Sequence, residues 1–415
     1  MGGRADRVVV IGAGIAGVSA AIWLQRKGCE AVLIDRQDPG EGASFGNAGV
    51  LAVSSVVPVT TPGLALKVPG YLLNPDSPLF VIWRNLPVLG SWLVRYLLHA
   101  NDRDTRRIAA GLADIVGDSV EQHQALAAGT EAEKWLRGSD YIFAYRSRAE
   151  FEKDGYVWSL RREAGIHPIE VEASDVRAAE PALGPDTGFL ALLKDHGFVS
   201  SPGNYVKSLA AEFVSRGGEF RKSATHGFAI SRGRVTGVET DSGTVACDAA
   251  VLAAGIWSRG LLQGIGVDVP VQSERGYHIL LKNPTIAPKA PVMVADGKFV
   301  ATPMRDGLRC AGLLEFGSLS QPRSKAPLAY LRRKVRQTFP ELEWAGEDEW
   351  MGHRPAPSDS LPLIGETGGT GIFTAFGHHH IGLTGGPKTG RIVADLVAGD
   401  DPGLDAAMFS PNRFR

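Results

Sequence analysis

Three glycines at fixed spacing, Gly12, Gly14 and Gly17, follow directly on a β-branched run, Val8, Val9, Val10 and Ile11. An apolar helical pattern from Val18 to Leu24 comes next, then a second buried-strand run, Ala31 to Ile34, which ends in Asp35. A strand, glycine turn, helix, strand and terminal acid in this order can bind the phosphates and sugar of a dinucleotide. Gly12 permits the tight turn, Gly14 lets the backbone approach a pyrophosphate, and Gly17 lets the helix pack on the strand. Ala13, Ile15 and Ala16 supply the backbone between them, where the helix N-terminus offers free N–H groups to phosphate. Asp35, with Arg36 beside it, stands where a carboxylate can accept both hydroxyls of a ribose.

Glycines crowd two further places. Pro39 to Gly49 (PGEGASFGNAG) cannot be regular structure, and it brings Ser44, Asn47, Ala48 and Gly49 close to something that excludes side chains. Gly377 to Gly390 (GHHHIGLTGGPKTG) leads into a helix expected from about Pro387, with Gly382, Leu383 and Thr384 ahead of it. Between these lies Asp248 to Gly255 (DAAVLAAG), read as a buried parallel strand whose end, Ala254, Gly255 and then Trp257, approaches a ligand. Three separate glycine-rich approaches need one long ligand. FAD meets that need better than NAD, because its isoalloxazine ring must be held far from its adenine end. A helix N-terminus at Gly382–Thr384 would stabilise an anionic reduced flavin. No second GxGxxG is present, so electrons are expected to enter from a substrate and leave to oxygen, a quinone or a carrier protein.

Composition bounds the remainder. At 415 residues, two domains are expected. A net charge of −1 provides no field to attract nucleic acid. Cys29, Cys247 and Cys310 show neither metal nor redox spacing. An odd, scattered set suits a reducing compartment, and no secretory signal precedes Val8, so a cytoplasmic protein is expected. Leu79 to Ala100 is rich in Leu, Val and Trp, but Arg84, Pro87, Gly90 and Arg95 interrupt it, so it does not read as a spanning helix. It reads either as amphipathic helices packed on a domain or as an interfacial patch touching the inner face of a membrane.

Pro58 to Pro78 reads as an extended connection. Helices are expected over Phe80–Leu98, Arg106–Ala127, Leu160–Ala164, Ser174–Glu180, Asn204–Arg216 and Leu328–Phe339. Strand patterns cover Phe220–Ser223, Ala229–Glu239, Thr244–Ala246, Val271–Leu281, Pro291–Thr302, Leu308–Leu313 and Ile372–Phe376. The fold class is therefore α/β, a Rossmann-like FAD-binding domain interleaved with an α+β substrate domain that contains an antiparallel sheet. The first takes residues 1–76, 197–270 and 351–415, the second 77–196 and 271–350.

The chain resembles the D-amino-acid dehydrogenase and glycine oxidase group of FAD-dependent amine oxidoreductases over nearly its whole length. The motifs that carry this are VIGAGIAGVSAA with Asp35, SFGNAG from Ser44 to Gly49, LAAG before Trp257, Arg275-Gly276-Tyr277, His353-Arg354-Pro355 with Asp359 and Pro362 to Gly365, and Gly377-His378 through Gly382 to Pro387 and Gly390. The resemblance implies oxidation of a small amino acid, foremost a D-amino acid and including proline-like imino acids, by hydride transfer from the α-carbon to flavin N5. N-methyl amino acids and 2-hydroxy acids are alternative substrates on the same scaffold, and a flavin-binding protein without turnover is a more remote reading. Some relatives attach flavin through a cysteine in the C-terminal part. The last cysteine here is Cys310, which implies noncovalent FAD.

Amine oxidation depends mainly on positioning, so the substrate carboxylate needs a cation. Arg354 is expected to supply it, from a loop bracketed by Gly352 and Pro355, with a salt bridge to Asp359 as the alternative. Tyr277 and His278 alternate, so one of the two faces the flavin. The family favours Tyr277 as a hydroxyl donor to the carboxylate, while Arg275 either binds acid or holds its loop. His378, His379 and His380 are adjacent and cannot easily converge on one ion, so no metal is expected. One imidazole near the flavin edge, taken as His380, is expected instead.

Overall fold

A computed structural model describes residues 5–66, 70, 79–82 and 86–414. The β-branched run near the N-terminus forms the centre of a six-stranded sheet, ordered Leu363–Glu366, Ile372–Phe376, Ala249–Leu252, Arg7–Ile11, Glu30–Asp35 and Glu219–Lys222. All its pairings are parallel except that of the first two strands. Strand alternation sends Val8, Val10 and Leu33 to one face and Val9, Ile11, Val32 and Ile34 to the other, and all are buried. A parallel sheet needs cover on both faces. Helices Ile15–Arg26, Pro202–Ser215 and Gly382–Ala398 cover one, and a three-stranded antiparallel sheet, Thr225–Ser231, Arg234–Thr240 and Gly243–Ala246, covers the other.

The second sheet has ten strands among the described residues. Its path runs Gly346–Pro357, Val271–Lys282, Gly307–Phe316, Phe299–Met304, Val292–Val294, Leu136–Tyr145, Phe189–Val199 and Val50–Leu51. Leu79–Val81 pairs with Gly307–Phe316, and Ile169–Glu172 with Phe189–Val199. Most neighbours are antiparallel. Helix Lys325–Thr338 lays Leu328, Leu331 and Val335 against Ile279 and Leu281 of the sheet. This is the expected α/β fold with its separate antiparallel sheet.

Several local expectations need correction. Arg354 lies not on a loop but in the strand Gly346–Pro357, paired with Val271–Lys282. The domain boundaries at 196/197 and 350/351 fall inside strands, and that at 76/77 lies outside the described residues. Phe80 belongs to a short strand rather than to the helix, which runs Leu86–Leu98; residues 83–85 lie outside the description. Of the Pro58–Pro78 connection, 67–69 and 71–78 lie outside it as well. The pattern Arg106–Ala127 divides at Gly117 into Asp102–Val116 and Ser119–Ala127.

The last helix starts at Gly382, five residues before Pro387. Proline has no N–H for the carbonyl four residues back. That carbonyl, of Leu383, instead accepts from Nε2 of the buried His123 at 2.9 Å, and His123 Nδ1 accepts from the Tyr205 hydroxyl at 2.9 Å. Glycines then let this helix lie close on the first. A Cβ at Gly390 would stand 2.6 Å from the Ala20 nitrogen.

Candidate functional site

A cavity of about 1120 Å³ runs between the C-terminal ends of the parallel strands and one face of the ten-stranded sheet. Ligands of open parallel sheets bind at such strand ends. The volume exceeds the roughly 300–1,000 Å³ of ordinary small-molecule pockets.

At one end of the cavity lies the N-terminal glycine unit. Gly12 has φ +109° and donates its N–H to the Ile34 carbonyl at 2.8 Å, and a Cβ there would stand 2.5 Å from the Ala253 carbonyl. A Cβ on Gly17 would stand 1.8 Å from the Gly12 carbonyl, so Gly17 serves helix–turn packing and does not line the cavity. Gly14 is different. A Cβ there would meet only Ser44 Oγ, at 3.4 Å, and the residue borders open cavity. No protein atom demands glycine at this position, whereas a pyrophosphate at the helix N-terminus would. Asp35 accepts from the N–H groups of Ala13 (2.7 Å) and Gln37 (2.9 Å), and Ser44 accepts from Ile15 N–H at 3.0 Å. Arg36 stacks on Trp257, 4.0 Å above its ring.

Ala13, Ile15, Ala16, Asp35, Arg36, Ser44, Asn47, Ala48, Ala254, Gly255 and Trp257 all line the cavity, as do Gly382, Leu383 and Thr384 at the second helix N-terminus. Gly49 does not. Its φ of +82° turns the chain where a Cβ would meet the Val199 carbonyl at 2.7 Å. Two helix N-termini, from opposite ends of the sequence, thus open on one elongated space. The residues fit a dinucleotide that extends from Asp35 past the 42–49 loop to Gly382. The three cysteines are buried, and none lines the cavity.

The 42–49 loop is held from behind by His278 and by two residues that the sequence did not single out, Arg309 and Trp350. Arg309 donates from Nη1 to the Phe45 and Asn47 carbonyls at 2.9 and 2.7 Å, and burial lowers its pKa to about 10. His278 donates from Nδ1 to the Gly46 carbonyl at 3.0 Å and stacks on Trp350, with centroids 5.3 Å apart. Burial, and the charge of Arg309, push His278 down to about 3. The Trp350 indole occupies the space a Cβ would take on Gly46 or Gly352.

On the sheet, alternation puts Trp350, Gly352 and Arg354 on one face, opposite His278, Gly276 and Glu274 of the neighbouring strand. The Arg354 guanidinium folds over Gly276, where a Cβ would lie 2.4 Å from Nη2. Its Nη1 donates to Glu274 at 2.8 Å and to the Leu313 carbonyl at 3.2 Å, while Nε and Nη2 have no hydrogen-bond acceptor among the described residues. The side chain keeps 22% exposure and lines the cavity. Leu313, at φ +62°, is a non-glycine residue in left-handed backbone. The alternative acceptor for Arg354, Asp359, is bound bidentately by Arg413.

Glu274 is buried, and burial alone would raise its carboxyl. His379, 3.0 Å away, and Arg354 outweigh that and hold it down to about 2. The three adjacent histidines go to three places. His378 bonds Thr389 at 2.8 Å, His379 turns to Glu274 at a φ of +51°, and His380 is exposed within the cavity. Desolvation by the protein packed around the cavity pushes the His380 pKa down to about 4.

The expectation for Tyr277 needs correction. It borders the cavity, but its hydroxyl donates to Glu315 at 2.5 Å and accepts from Ser324 N–H at 3.1 Å. Its proton is committed, and His278 is the member of the pair that faces the glycine loop. Arg275 is fully buried, pairs with Glu315 at 2.9 Å and donates to the carbonyls of Gln321 and Pro322, so it holds the loop. Beyond Arg354, helix Leu86–Leu98 contributes an apolar wall of Leu89, Trp92, Leu93 and Tyr96.

Known proteins resemble this chain over nearly its whole length. The chain is 37% identical to a D-amino-acid oxidase of Bradyrhizobium diazoefficiens, over 98% of each chain. It is 32% identical to a D-amino acid dehydrogenase of Methylobacterium nodulans, over 98% of this chain and 99% of that one. Among solved structures, glycine oxidase from Geobacillus kaustophilus superposes with a TM-score of 0.73 at 22% identity, covering 99% of both chains. L-proline dehydrogenase from P. horikoshii gives 0.73 at 17% identity, over 99% of this chain and 98% of that one. These two likenesses establish the fold. The DAO family, described as FAD dependent oxidoreductase, matches residues 7–396. With that span and those relatives, this chain is a member of the DAO family of FAD-dependent oxidoreductases.

Proposed function

We propose that the chain oxidises the C–N bond of a small α-amino acid, foremost a D-amino acid. One observation carries this reading: a half-buried guanidinium, Arg354, stands in the cavity wall with its Nε and Nη2 edge uncommitted. An edge of this kind matches a carboxylate with two parallel bonds. Glu274 and the Leu313 carbonyl set its orientation by holding Nη1.

Bound FAD supplies a two-electron acceptor to this site. The protein's own groups position the substrate. Arg354 takes the carboxylate, and His380, neutral at pH 7, adds no charge to repel the substrate ammonium and can accept a hydrogen bond from it. The apolar wall of Leu89, Trp92 and Leu93 accommodates the side chain and excludes water. The names of the two relatives, both acting on D-amino acids, support that configuration.

We further propose that the electron acceptor is a quinone, reached from an apolar surface. The helix whose inner side lines the cavity exposes Val94 (60%) and Leu98 (69%) outside, and Leu66 (88%) is also exposed. No helix among the described residues is long and apolar enough to cross a membrane, so contact would be peripheral.

One experiment tests both proposals. Holoenzyme is mixed anaerobically with D- and L-amino acids, N-methyl amino acids and 2-hydroxy acids, and flavin absorbance is followed. D-amino acids should bleach it fastest, and a soluble quinone should restore colour faster than air-saturated buffer. Bleaching by 2-hydroxy acids alone would overturn the substrate reading, and equal reoxidation by oxygen would overturn the acceptor.

A further inference from the structure

Besides Arg354 and Arg36, the cavity is lined by a third guanidinium, far from Arg354. Helix Gly155–Glu163 carries Arg161, whose Cζ lies 4.7 Å from the Phe143 ring centroid and 4.6 Å from that of Trp158. The rings cover the cation, so its binding capacity lies along its edges. Nε donates to the Ser54 carbonyl at 3.3 Å. No carboxylate lies within ion-pair distance of it among the described residues. Asp154, whose field reaches it, accepts from the Tyr145 hydroxyl at 3.2 Å. Protein packs around Arg161 and burial works against its charge, yet the side chain retains surface, and it lines the cavity. An enclosed cation without an acid costs free energy unless an anion reaches it.

The sheet register separates this group from Arg354. Phe143 stands on the strand Leu136–Tyr145, and the Arg354 guanidinium lies over Gly276 on Val271–Lys282, four strands away. At about 4.8 Å per strand that is about 19 Å across the sheet, further than one small amino acid reaches. Nearby cavity residues leave this positive charge in place. Lys298 is exposed at the lining and offsets Asp154, which also lines it, while Asp296 is neutralised by Arg146 at 2.6 Å and Lys334 at 3.0 Å. Such a lobe repels an ammonium and attracts a carboxylate.

We propose that Arg161 forms a second carboxylate-binding site in this cavity, walled by Tyr141 and Phe143, that takes planar carboxylates lacking an ammonium, the class of the 2-oxo acids. Oxidation of an amino acid and hydrolysis of the resulting imine turn a zwitterion into such an anion, so the lobe receives product rather than substrate. The preference for an oxo acid rests on the amino-acid reading; the cation and its rings do not.

The test is calorimetric titration of FAD-loaded protein with phenylpyruvate. Wild type should show two sites. Arg161→Met should lose one, weakened by about tenfold or more as a charge-assisted contact is removed, with FAD content and kcat/KM for the amino acid unchanged. Arg161→Lys should keep part of that affinity, and Arg354→Met should lose the other site only. In wild-type protein, needing no variant, the neutral amide of phenylpyruvate should fail to fill the Arg161 site. A single site in wild type, two undiminished sites in Arg161→Met, equal binding of the amide, or release of FAD by Arg161→Met would each overturn the proposal. Two sites in a protein that bleaches with no amino acid would remove only the substrate reading.

Discussion

Arg354 can present two parallel N–H groups only while its guanidinium lies flat over Gly276 and Glu274 grips Nη1. Removing the cation should therefore cost the substrate carboxylate a charge-assisted contact, worth roughly 2–5 kcal/mol when one member of a pair is lost. Arg354→Met should lower kcat/KM by about 30-fold to several thousand-fold at unchanged FAD content. Arg354→Met also leaves buried Glu274 with only His379 beside it, so Arg354→Met combined with Glu274→Gln is the control for that lost pairing. Gly276→Ala should act on the same contact without touching charge. Its methyl would meet the flexible end of Arg354, so KM for carboxylate substrates should rise while the melting temperature holds. If Gly276→Ala leaves KM unmoved, the guanidinium does not bind substrate in the position seen here. The arginine's chemistry was readable from its type and neighbours. Glu274, which orients it, was not, because the two are 80 residues apart and meet only through strand pairing.

At the scale of elements, the N-terminal βαβ unit was legible because every constraint on it is local: strand, turn, helix and acid follow within 30 residues. Gly14 and Gly17 make that reading testable. A methyl at Gly17 would collide with backbone, so Gly17→Ala should lower stability with or without FAD. A methyl at Gly14 meets no backbone and points into the cradle. Gly14→Ala should leave the melting temperature of cofactor-free protein unchanged and weaken FAD binding by about tenfold or more, about 1.4 kcal/mol. Equal effects of the two on cofactor-free stability would count against a pyrophosphate at Gly14. The strand Gly346–Pro357 was missed for the opposite reason. Its Pro355 and Pro357 argue against a strand, yet among the described residues it is the sheet's edge, paired on one side only, where missing N–H groups cost little. Leu136–Tyr145 carries Arg137, Gly138, Ser139 and Asp140 in its first half and is buried only in its second, so its pattern reflects neighbours distant in sequence.

Across the whole molecule, both layers lock histidines away from water. His123 satisfies the helix carbonyl freed by Pro387, His278 holds the glycine loop, and His378 bonds Thr389. Burial lowers these three to about 4, 3 and 4. Unfolded, each titrates near its ordinary value of about 6.5. Between pH 6.5 and 4 the unfolded chain therefore binds more protons than the folded one, and stability must fall as pH falls through that window. Glu274, held down to about 2, adds its loss only at lower pH. Urea denaturation at fixed excess FAD should show a midpoint that drops steadily from pH 7 to pH 5 at constant m. Because His353 and His380 are also lowered to about 4, the slope at pH 5 should correspond to uptake of roughly four to five protons on unfolding. His123→Gln, which keeps a donor for the Leu383 carbonyl but cannot titrate, should flatten that slope by about one proton. A midpoint that stays level to pH 5 and collapses only below pH 4 would mean that carboxylates govern acid stability and that these imidazoles are not held neutral by the fold.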